Sequence, residues 1–283
     1  MSNNGIAYHR VIRFTNRTVD KPVVNTDLEK PGVPEVRAVL RAVSILRAFA
    51  GSKPAWSLAE LTQATGLNKA TVRRLLHTLE IAGLVAHNDQ EQTYSLTLDL
   101  VDLASSVHQG RDLITLARPF LSELADLCAG ISFLWVFDKA GGVCLDRVVA
   151  SSSFITAFIA PGNRSELNCG AGPRVVLAYV SEAERAQVLA RPQAQRTPFS
   201  LTSPAALEAR AALIRLQGYE FVADDFITGL AALGVPIFTR DGRFAGALSI
   251  TNLTDRFELD GAGVPLWLSP MQLAAQRLGN RIT

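Results

Sequence analysis

Residues 57–83 read SLAELTQATGLNKATVRRLLHTLEIAG, and this stretch decides the N-terminal fold. Ser57 is followed three residues later by Glu60, a spacing that indicates a capping box at the start of a helix. The apolar periodicity then predicts a short helix over residues 58–65. Gly66 follows at the position where a left-handed residue commonly ends a helix.

A second helix follows at once. Asn68 is a suitable N-cap, the periodic pattern runs over residues 69–82, and Gly83 ends it. Two short helices separated by a turn that contains a glycine are typical of a helix-turn-helix. The sequence therefore predicts this motif over residues 57–83.

The second of these helices has an apolar face and a basic face. The apolar face, expected to be buried, consists of Val72, Leu75, Leu76 and Leu79. The basic face lies near the helix N-terminus, where a recognition helix enters the major groove and where Arg and Lys can donate to guanine. The predicted DNA contacts, including the two caps, are Ser57, Asn68, Lys69, Ala70, Thr71, Arg73, Arg74 and His77.

The flanking residues complete a winged helix-turn-helix over residues 35–96. An apolar stripe predicts a first helix over residues 35–50, and two short strands are expected at 84–87 and 93–96. The tip between these strands carries two acids, so the wing is not expected to be a strong charge anchor. The alternative is a three-helix structural module that binds no DNA, which the agreement of helix lengths, glycine stops and basic face disfavours.

Composition divides the chain into two parts. Its 283 residues exceed one small domain, and 48% hydrophobic against 19% charged residues allows sizeable cores. The net charge of +2 argues against a protein that coats polyanions. Residues 1–96 carry 12 Lys and Arg against 8 Asp and Glu, whereas residues 97–283 carry 16 against 18. The positive excess therefore lies in the part that contains the helix-turn-helix.

The remaining boundaries follow from changes of pattern. Residues 1–34 show no period and are predicted to be a disordered tail, with a DNA-contacting basic arm as the alternative. Residues 97–111 are predicted to be a linker helix, and residues 112–283 a second domain that opens with another helix. The linker helices can pack within one chain or between two, and a binder of DNA half-sites favours dimerisation.

The second domain is predicted to be α+β, an antiparallel sheet with helices on one side and a concave face able to hold a small molecule. The expected strands are 131–137, 143–149, 154–159, 221–222, 234–238 and 243–251. The expected helices are 173–180, 182–189, 204–216 and 266–278.

Several classes are disfavoured. Cys128, Cys144 and Cys169 form no CxxC pair, which favours a reducing cytoplasm over a disulfide framework. The sequence shows no signal peptide and no apolar run of transmembrane length. No histidine follows His108, so neither a metal site nor a histidine base is expected in the second domain.

The sequence resembles the IclR family of bacterial transcription regulators over roughly residues 35–280. The residues that carry the resemblance are Arg41–Leu46, Leu67–Leu79, Gly83–Val85, Leu167–Gly172, Gly218–Tyr219, Asp224–Asp225, Gly229–Pro236 and Ala247–Ile250. The resemblance implies an N-terminal winged helix-turn-helix and a C-terminal effector-binding domain of GAF-like fold. It also implies a homodimer, or a homotetramer formed as a dimer of dimers, on a palindromic operator in double-stranded DNA. Members bind small metabolites, often organic acids or aromatic compounds, and repress or activate.

Two departures from the family pattern bear on the effector. Asn168 stands where the family usually has a histidine, and Gly170 stands where it usually has a threonine. The sequence then reads Gly172-Pro173-Arg174 in place of Gly-Lys. We therefore expect an effector that differs from the carboxylates of well-known members.

The candidate effector-binding residues combine geometry with this resemblance. They are Phe133, Phe154, Asn168, Cys169, Gly170, Ala171, Asp225, Leu230, Ala231, Ala232, Leu233 and Ser249. Gly170 and Gly172 near a helix start can present N–H groups to an anion, or serve only as a turn. Asp225 falls where the family carries an acid facing the pocket, with a helix cap or solvated loop carboxylate as the alternative. Cys169 and the strand aromatics can equally be core residues.

The function predicted is a ligand-responsive transcription regulator of a catabolic or metabolic operon, without cofactor or metal. The alternative is a ligand-binding or hydrolytic enzyme on the C-terminal domain. Cys169 or Ser249 would then be the nucleophile, or carboxylates such as Asp146 and Asp225 would act in catalysis, although nothing in their spacing demands it. A protein-binding winged helix is a third possibility, which the basic face of Lys69, Arg73 and Arg74 disfavours.

Overall fold

The computed structural model covers the chain in five segments. The described residues are 34–49, 53–105, 108–138, 141–155 and 159–282. Apart from its last residue, the predicted tail lies outside them. Contacts divide the chain into a smaller unit that ends at Thr97 and a larger unit that continues from Leu98.

The smaller unit is a winged helix-turn-helix, as predicted. Its elements are α1 (Arg37–Ala48), β1 (Trp56–Ser57), α2 (Leu58–Thr65), α3 (Lys69–Ile81), β2 (Val85–Asn88) and β3 (Thr93–Leu96). The strands form an antiparallel sheet in the order β1-β3-β2. The two-residue strand β1 was not predicted, because so short a strand leaves no periodicity in the sequence.

Local signals set the helix ends in this unit. Ser57 Oγ accepts from the Glu60 N–H, and the Glu60 carboxylate accepts from the Ser57 N–H. Gly66 ends α2 at φ +66°, a left-handed conformation that costs little only for glycine. The Asn68 side chain caps α3 by accepting from the Thr71 N–H at 2.8 Å. The three helices bury a common apolar core, with Ile45, Leu61, Val72, Leu76, Leu79 and Val85 among its members.

The larger unit is built on a six-stranded antiparallel sheet. Its helices are α4 (Asp99–Ser105), α5 (His108–Cys128), α6 (Ala171–Tyr179), α7 (Glu182–Leu189), α8 (Pro204–Gln217) and α9 (Leu268–Gly279). Its strands are β4 (Ile131–Asp138), β5 (Gly141–Val149), β6 (Arg164–Ser165), β7 (Glu220–Ala223), β8 (Leu230–Phe238) and β9 (Phe244–Leu253). The strand order is β6-β5-β4-β9-β8-β7, and the predicted α+β class is confirmed.

Helices cover both faces of this sheet, so the prediction of helices on one side was wrong. Phe133 and Trp135 of β4 pack in one apolar cluster with residues of α6, α7 and α8. Leu134, between them, points into a second cluster with residues of α5 and α9. Since successive side chains of a strand alternate between faces, β4 is apolar on both sides and must be covered twice.

Three local predictions also differ from the structure. Residues 154, 155 and 159 do not lie in a strand, and β6 at Arg164–Ser165 is the strand that pairs with β5. The helix α5 begins at His108, inside the predicted linker. Leu230–Leu233, expected in a pocket loop, form the first half of β8. In each case sheet pairing or continued helical hydrogen bonding, and not local composition, sets the boundary.

Candidate functional site

The first candidate surface is the basic face of α3. The side chains exposed on it and at its cap are Asn68, Lys69, Ala70, Arg73, Arg74 and His77. Lys69, Arg73 and Arg74 form no ion pair with any residue in the described part of the chain. Uncompensated cations at the N-terminal half of a second helix are suited to phosphate and base contacts.

The other predicted DNA contacts are engaged or partly covered. The Ser57 hydroxyl donates to Glu60 Oε2 at 2.9 Å within the capping box. Thr71 is half-buried, and its N–H is held by the Asn68 cap. At the wing, His87 Nδ1 lies 3.0 Å from Asp89, and the centre of its ring lies 4.4 Å from that of Tyr94, with the two planes tilted by 32°. The wing tip carries Asp89 and Glu91 and therefore offers no cation for contact with the DNA phosphates.

The second candidate site is a mostly apolar cavity between α6 and the sheet. Its cavity volume is about 40 Å³. Its lining residues are Phe133, Trp135, Ile159, Ser165, Cys169, Gly170, Ala171, Gly172, Pro173, Asp225, Phe226, Ile227, Leu230, Ala231, Ala232, Ser249 and Thr251. A concave site with few polar groups is typical of small-molecule binding.

Strand register builds the floor of this cavity. Phe133 of β4 lies directly opposite Ser249 of β9, which in turn lies opposite Gly234 of β8. Trp135 Nε1 donates to Ser249 Oγ at 2.9 Å. A Cβ on Gly172 would stand 2.3 Å from Trp135 Cδ1, so only glycine lets α6 approach the indole this closely.

A cluster of charged side chains reaches the cavity through Asp225. Asp225 Oδ2 accepts from the Gly170 N–H at 2.9 Å and lies 2.9 Å from Arg174 Nη2. Arg174 Nη1 lies 3.8 Å from Glu220, which is itself held by two 2.7 Å hydrogen bonds from Arg210. Burial raises the pKa of Asp225, and Arg174 and the Gly170 N–H oppose that rise.

Nine of the twelve predicted effector residues line the cavity, and three do not. Phe154 is 88% exposed, and it does not lie in the strand that was expected to carry it inward. Asn168 is buried with its amide donating to the carbonyls of Ala194 and Leu201. Leu233 points through the sheet into the opposite core.

Trp135 was considered only as a strand aromatic and Gly172 only as an N–H donor, and the twelve predicted effector residues omit eight residues that line the cavity. They are Trp135, Ile159, Ser165, Gly172, Pro173, Phe226, Ile227 and Thr251. Alternation along the strands carried a usable signal for two of them, since Trp135 shares a face with Phe133 and Thr251 shares one with Ser249. The sequence hypothesis that Gly170 offers a free N–H to a ligand anion is wrong, because Asp225 accepts from that N–H.

All three cysteines and Asp146 are buried. Burial raises the pKa of Cys128 to about 11 and that of Cys144 to about 12, and it also raises the pKa of Cys169. Asp146 accepts two hydrogen bonds from Arg118 Nη1, at 2.6 and 2.9 Å.

Within the described segments, no group of three His, Cys, Asp or Glu residues is placed to hold a metal ion. None of the helices in those segments is long and apolar enough to span a membrane.

Known proteins match both units. The profile of the bacterial transcriptional regulator IclR C-terminal domain matches residues 105–278, and that of the IclR helix-turn-helix domain matches residues 38–89. The chain is 31% identical to the regulator KdgR of Escherichia coli over 83% of this chain and 89% of that protein. It is 28% identical to the regulator XynR of the same organism over 80% of this chain and 90% of that protein.

A solved structure agrees in fold. An IclR homologue from Microbacterium hydrocarbonoxydans, complexed with 4-hydroxybenzoate, matches with a TM-score of 0.71 at 19% identity. The match covers 86% of this chain and 97% of that one, and at this identity it shows the fold alone. The matching families are transcription regulators and not enzymes. With a helix-turn-helix profile on the smaller unit and a C-terminal profile over most of the larger one, the chain belongs to the IclR family of bacterial transcriptional regulators.

Proposed function

We propose that the protein is a ligand-responsive transcription regulator of a catabolic or metabolic operon that reads its operator with α3. The observation that carries this proposal is the set of exposed cations Lys69, Arg73 and Arg74 on the capped helix α3, none of which has an acid partner among the described residues. In the major groove, arginine pairs with guanine N7 and O6, and lysine contacts guanine or phosphate. The caps Ser57 and Asn68 present helix N-termini to the backbone phosphates.

The remaining predicted contacts complete a reading surface. Ala70 is exposed and can meet a thymine methyl group, while Thr71 and His77 can contact a base or a phosphate. We propose a palindromic operator bound by a dimer or by a dimer of dimers, as repressor or activator. A regulator of this kind acts where bacterial DNA is, in the cytoplasm.

Apolar surface on two helices supports the dimer. At the N-cap of α1, Val36 is 64% exposed, and within α1 Val39 is 57% exposed. Beside and on α4, Leu98 is 81% exposed and Val101 is 61% exposed. Apolar stripes of this kind are costly to leave in water, and a second copy of the chain can cover them.

The effector is a small molecule in the cavity beneath α6, an organic acid or an aromatic compound by family resemblance. The 4-hydroxybenzoate bound by the Microbacterium homologue is an example of both classes. Binding changes DNA affinity only through a difference in ligand affinity between the DNA-bound and DNA-free arrangements.

A mobility-shift assay on DNA upstream of the gene tests the proposal. Arg73→Ala and Arg74→Ala should each weaken binding by about 1–3 kcal/mol while circular dichroism stays unchanged. Arg277→Ala is the matched control, since Arg277 is exposed on α9 and lies in the other unit. If both α3 variants bind DNA as tightly as the wild type, α3 is not the helix that reads the operator.

A further inference from the structure

The helix α8 is apolar on its outer face as well as on its inner face. The inner face, with Leu207, Ala211 and Ile214, packs in the same cluster as residues of α6. The exposed positions in the middle of the outer face are Ala205, Ala209, Ala212, Leu213 and Leu216. Leu216 is 85% exposed. Since a surface helix typically carries polar side chains there, the outer face of α8 has the composition of a contact surface.

The charged side chains of α8 lie at the edges of this face. Glu208 accepts from Arg185 Nε at 3.0 Å on one edge. Arg215 follows seven residues later, and therefore lies on the same edge, where it donates to a backbone carbonyl of α6 at 2.9 Å. Arg210, on the other edge, is held by two hydrogen bonds to the buried Glu220. The apolar stripe between these edges is open to a partner.

The stripe is complementary to itself in size when two copies of α8 pack antiparallel. The large side chains Leu213 and Leu216 lie toward the C-terminal end, and Ala205 and Ala209 lie toward the N-terminal end. An antiparallel pair centred near Ala211 places Leu216 of one copy against Ala205 of the other. The same register places Leu213 against Ala209. Large side chains that meet small ones allow two helices to pack closely.

The same register is complementary in charge. A two-fold axis through the contact brings the edge with Glu208 and Arg215 beside the same edge of the second copy, with its direction reversed. Glu208 of each copy then lies beside Arg215 of the other. Both side chains are accessible for this contact, since Glu208 is 47% and Arg215 is 36% exposed. Opposite charges at the rim of an apolar contact favour the correct register.

We infer that α8 binds α8 of a second copy of the chain in an antiparallel contact around a two-fold axis. A helix of 14 residues is about 21 Å long and about 10 Å wide, so its face is smaller than the roughly 800 Å² that each partner buries in a stable interface. The contact therefore adds to the association proposed through α1 and α4 and does not replace it. Because α8 packs on α6, the contact lies one helix away from the cavity.

Sedimentation velocity of the full chain over a concentration series tests the contact without DNA. The wild type should associate, and Leu216→Glu should raise the dissociation constant of the largest assembly at least about tenfold, because an apolar contact is lost twice across the two-fold axis. Circular dichroism should stay unchanged, since this side chain is exposed. Leu273→Glu changes an exposed leucine of α9, which packs on the other face of the sheet. This matched control should associate as the wild type does.

A cross-link at the centre of the contact gives a signal that misfolding does not imitate. Ala212 lies next to the centre of the antiparallel register, so Ala212→Cys brings two thiols together, and mild oxidation should yield a covalent dimer on a non-reducing gel. The native cysteines are buried and should not contribute. Gln276→Cys, exposed on α9, is the control and should stay uncross-linked.

Three results overturn the contact. They are a wild type that does not self-associate, a Leu216→Glu variant that associates as tightly as the wild type, and an Ala212→Cys variant that cross-links no faster than Gln276→Cys. This inference rests on the proposed function only where that function includes a dimer or a dimer of dimers. A failure of DNA reading by α3 would leave all three measurements unchanged, so the two failures are distinguishable.

Discussion

The close approach of α6 to β4 makes Gly172→Ala a sharp test of the cavity wall. A Cβ at this position would stand 2.3 Å from Trp135 Cδ1, 2.5 Å from its Nε1 and 2.8 Å from Ser249 Oγ. Carbon contacts do not tolerate such distances, so the indole must move. Its movement breaks the 2.9 Å hydrogen bond to Ser249.

The expected loss of stability combines three terms. Overpacking of a well-filled core costs about 1–3 kcal/mol. The lost hydrogen bond adds about 0.5–1.5 kcal/mol. Alanine in place of a helical glycine returns about 0.5–1 kcal/mol. The net destabilisation of the larger unit should be about 2 kcal/mol.

Urea unfolding followed by tryptophan fluorescence measures this loss. Gly261→Ala is the matched control, because a Cβ there meets open space, and it should change stability by less than about 0.5 kcal/mol. If Gly172→Ala unfolds at the same urea concentration as the control, the indole does not contact α6 as described and the cavity floor is wrong.

Further predictions concern both units. Ser57→Ala removes the capping box and should lower the stability of α2 by about 1 kcal/mol. The loss should be visible as faster amide hydrogen exchange in α2, and unchanged exchange would contradict the cap. The hydrogen bond from Lys53, then those from Ser57, lower the pKa of Glu60 from 4.5 to about 2. The Glu60 carboxylate therefore stabilises α2 above pH 4.5, and this stabilisation is lost as the pH falls toward 2. An acid titration of α2 should show this loss in the wild type and not in Glu60→Gln. Burial raises the pKa of Cys128 to about 11, so native protein should react with an aromatic disulfide more slowly than unfolded protein, and equal rates would refute its burial. Ala232→Trp should fill the cavity and abolish the ligand response with little change in DNA affinity, and a retained response would place the site elsewhere.

Features with local causes could be predicted from the sequence. Ser57 and Asn68 cap helices through hydrogen bonds that span three residues, and Gly66 ends α2 by its own backbone freedom. The basic face of α3 follows from periodicity alone, since Val72 and Leu76 must point inward. These features account for most of the smaller unit.

Features that depend on distant partners could not be predicted. Asp225 and Gly170 are 55 residues apart, so no local pattern shows that the N–H is taken. Phe154 stands in an apolar run that suits a strand, but a strand exists only where a neighbour pairs with it, and β5 pairs with Arg164–Ser165 instead. Family resemblance placed Leu233 in the pocket, whereas alternation along β8 turns it to the opposite face.

Binding to upstream DNA over a series of salt concentrations, for wild type, Arg73→Ala and Arg277→Ala, tests the assignment of α3 most directly. If Arg73 contacts a phosphate or a base next to one, its removal should weaken binding and make the slope of log K against log salt shallower by about one. Arg277→Ala should keep the wild-type affinity and slope. An Arg73→Ala variant that matches the wild type in both would contradict DNA reading by α3.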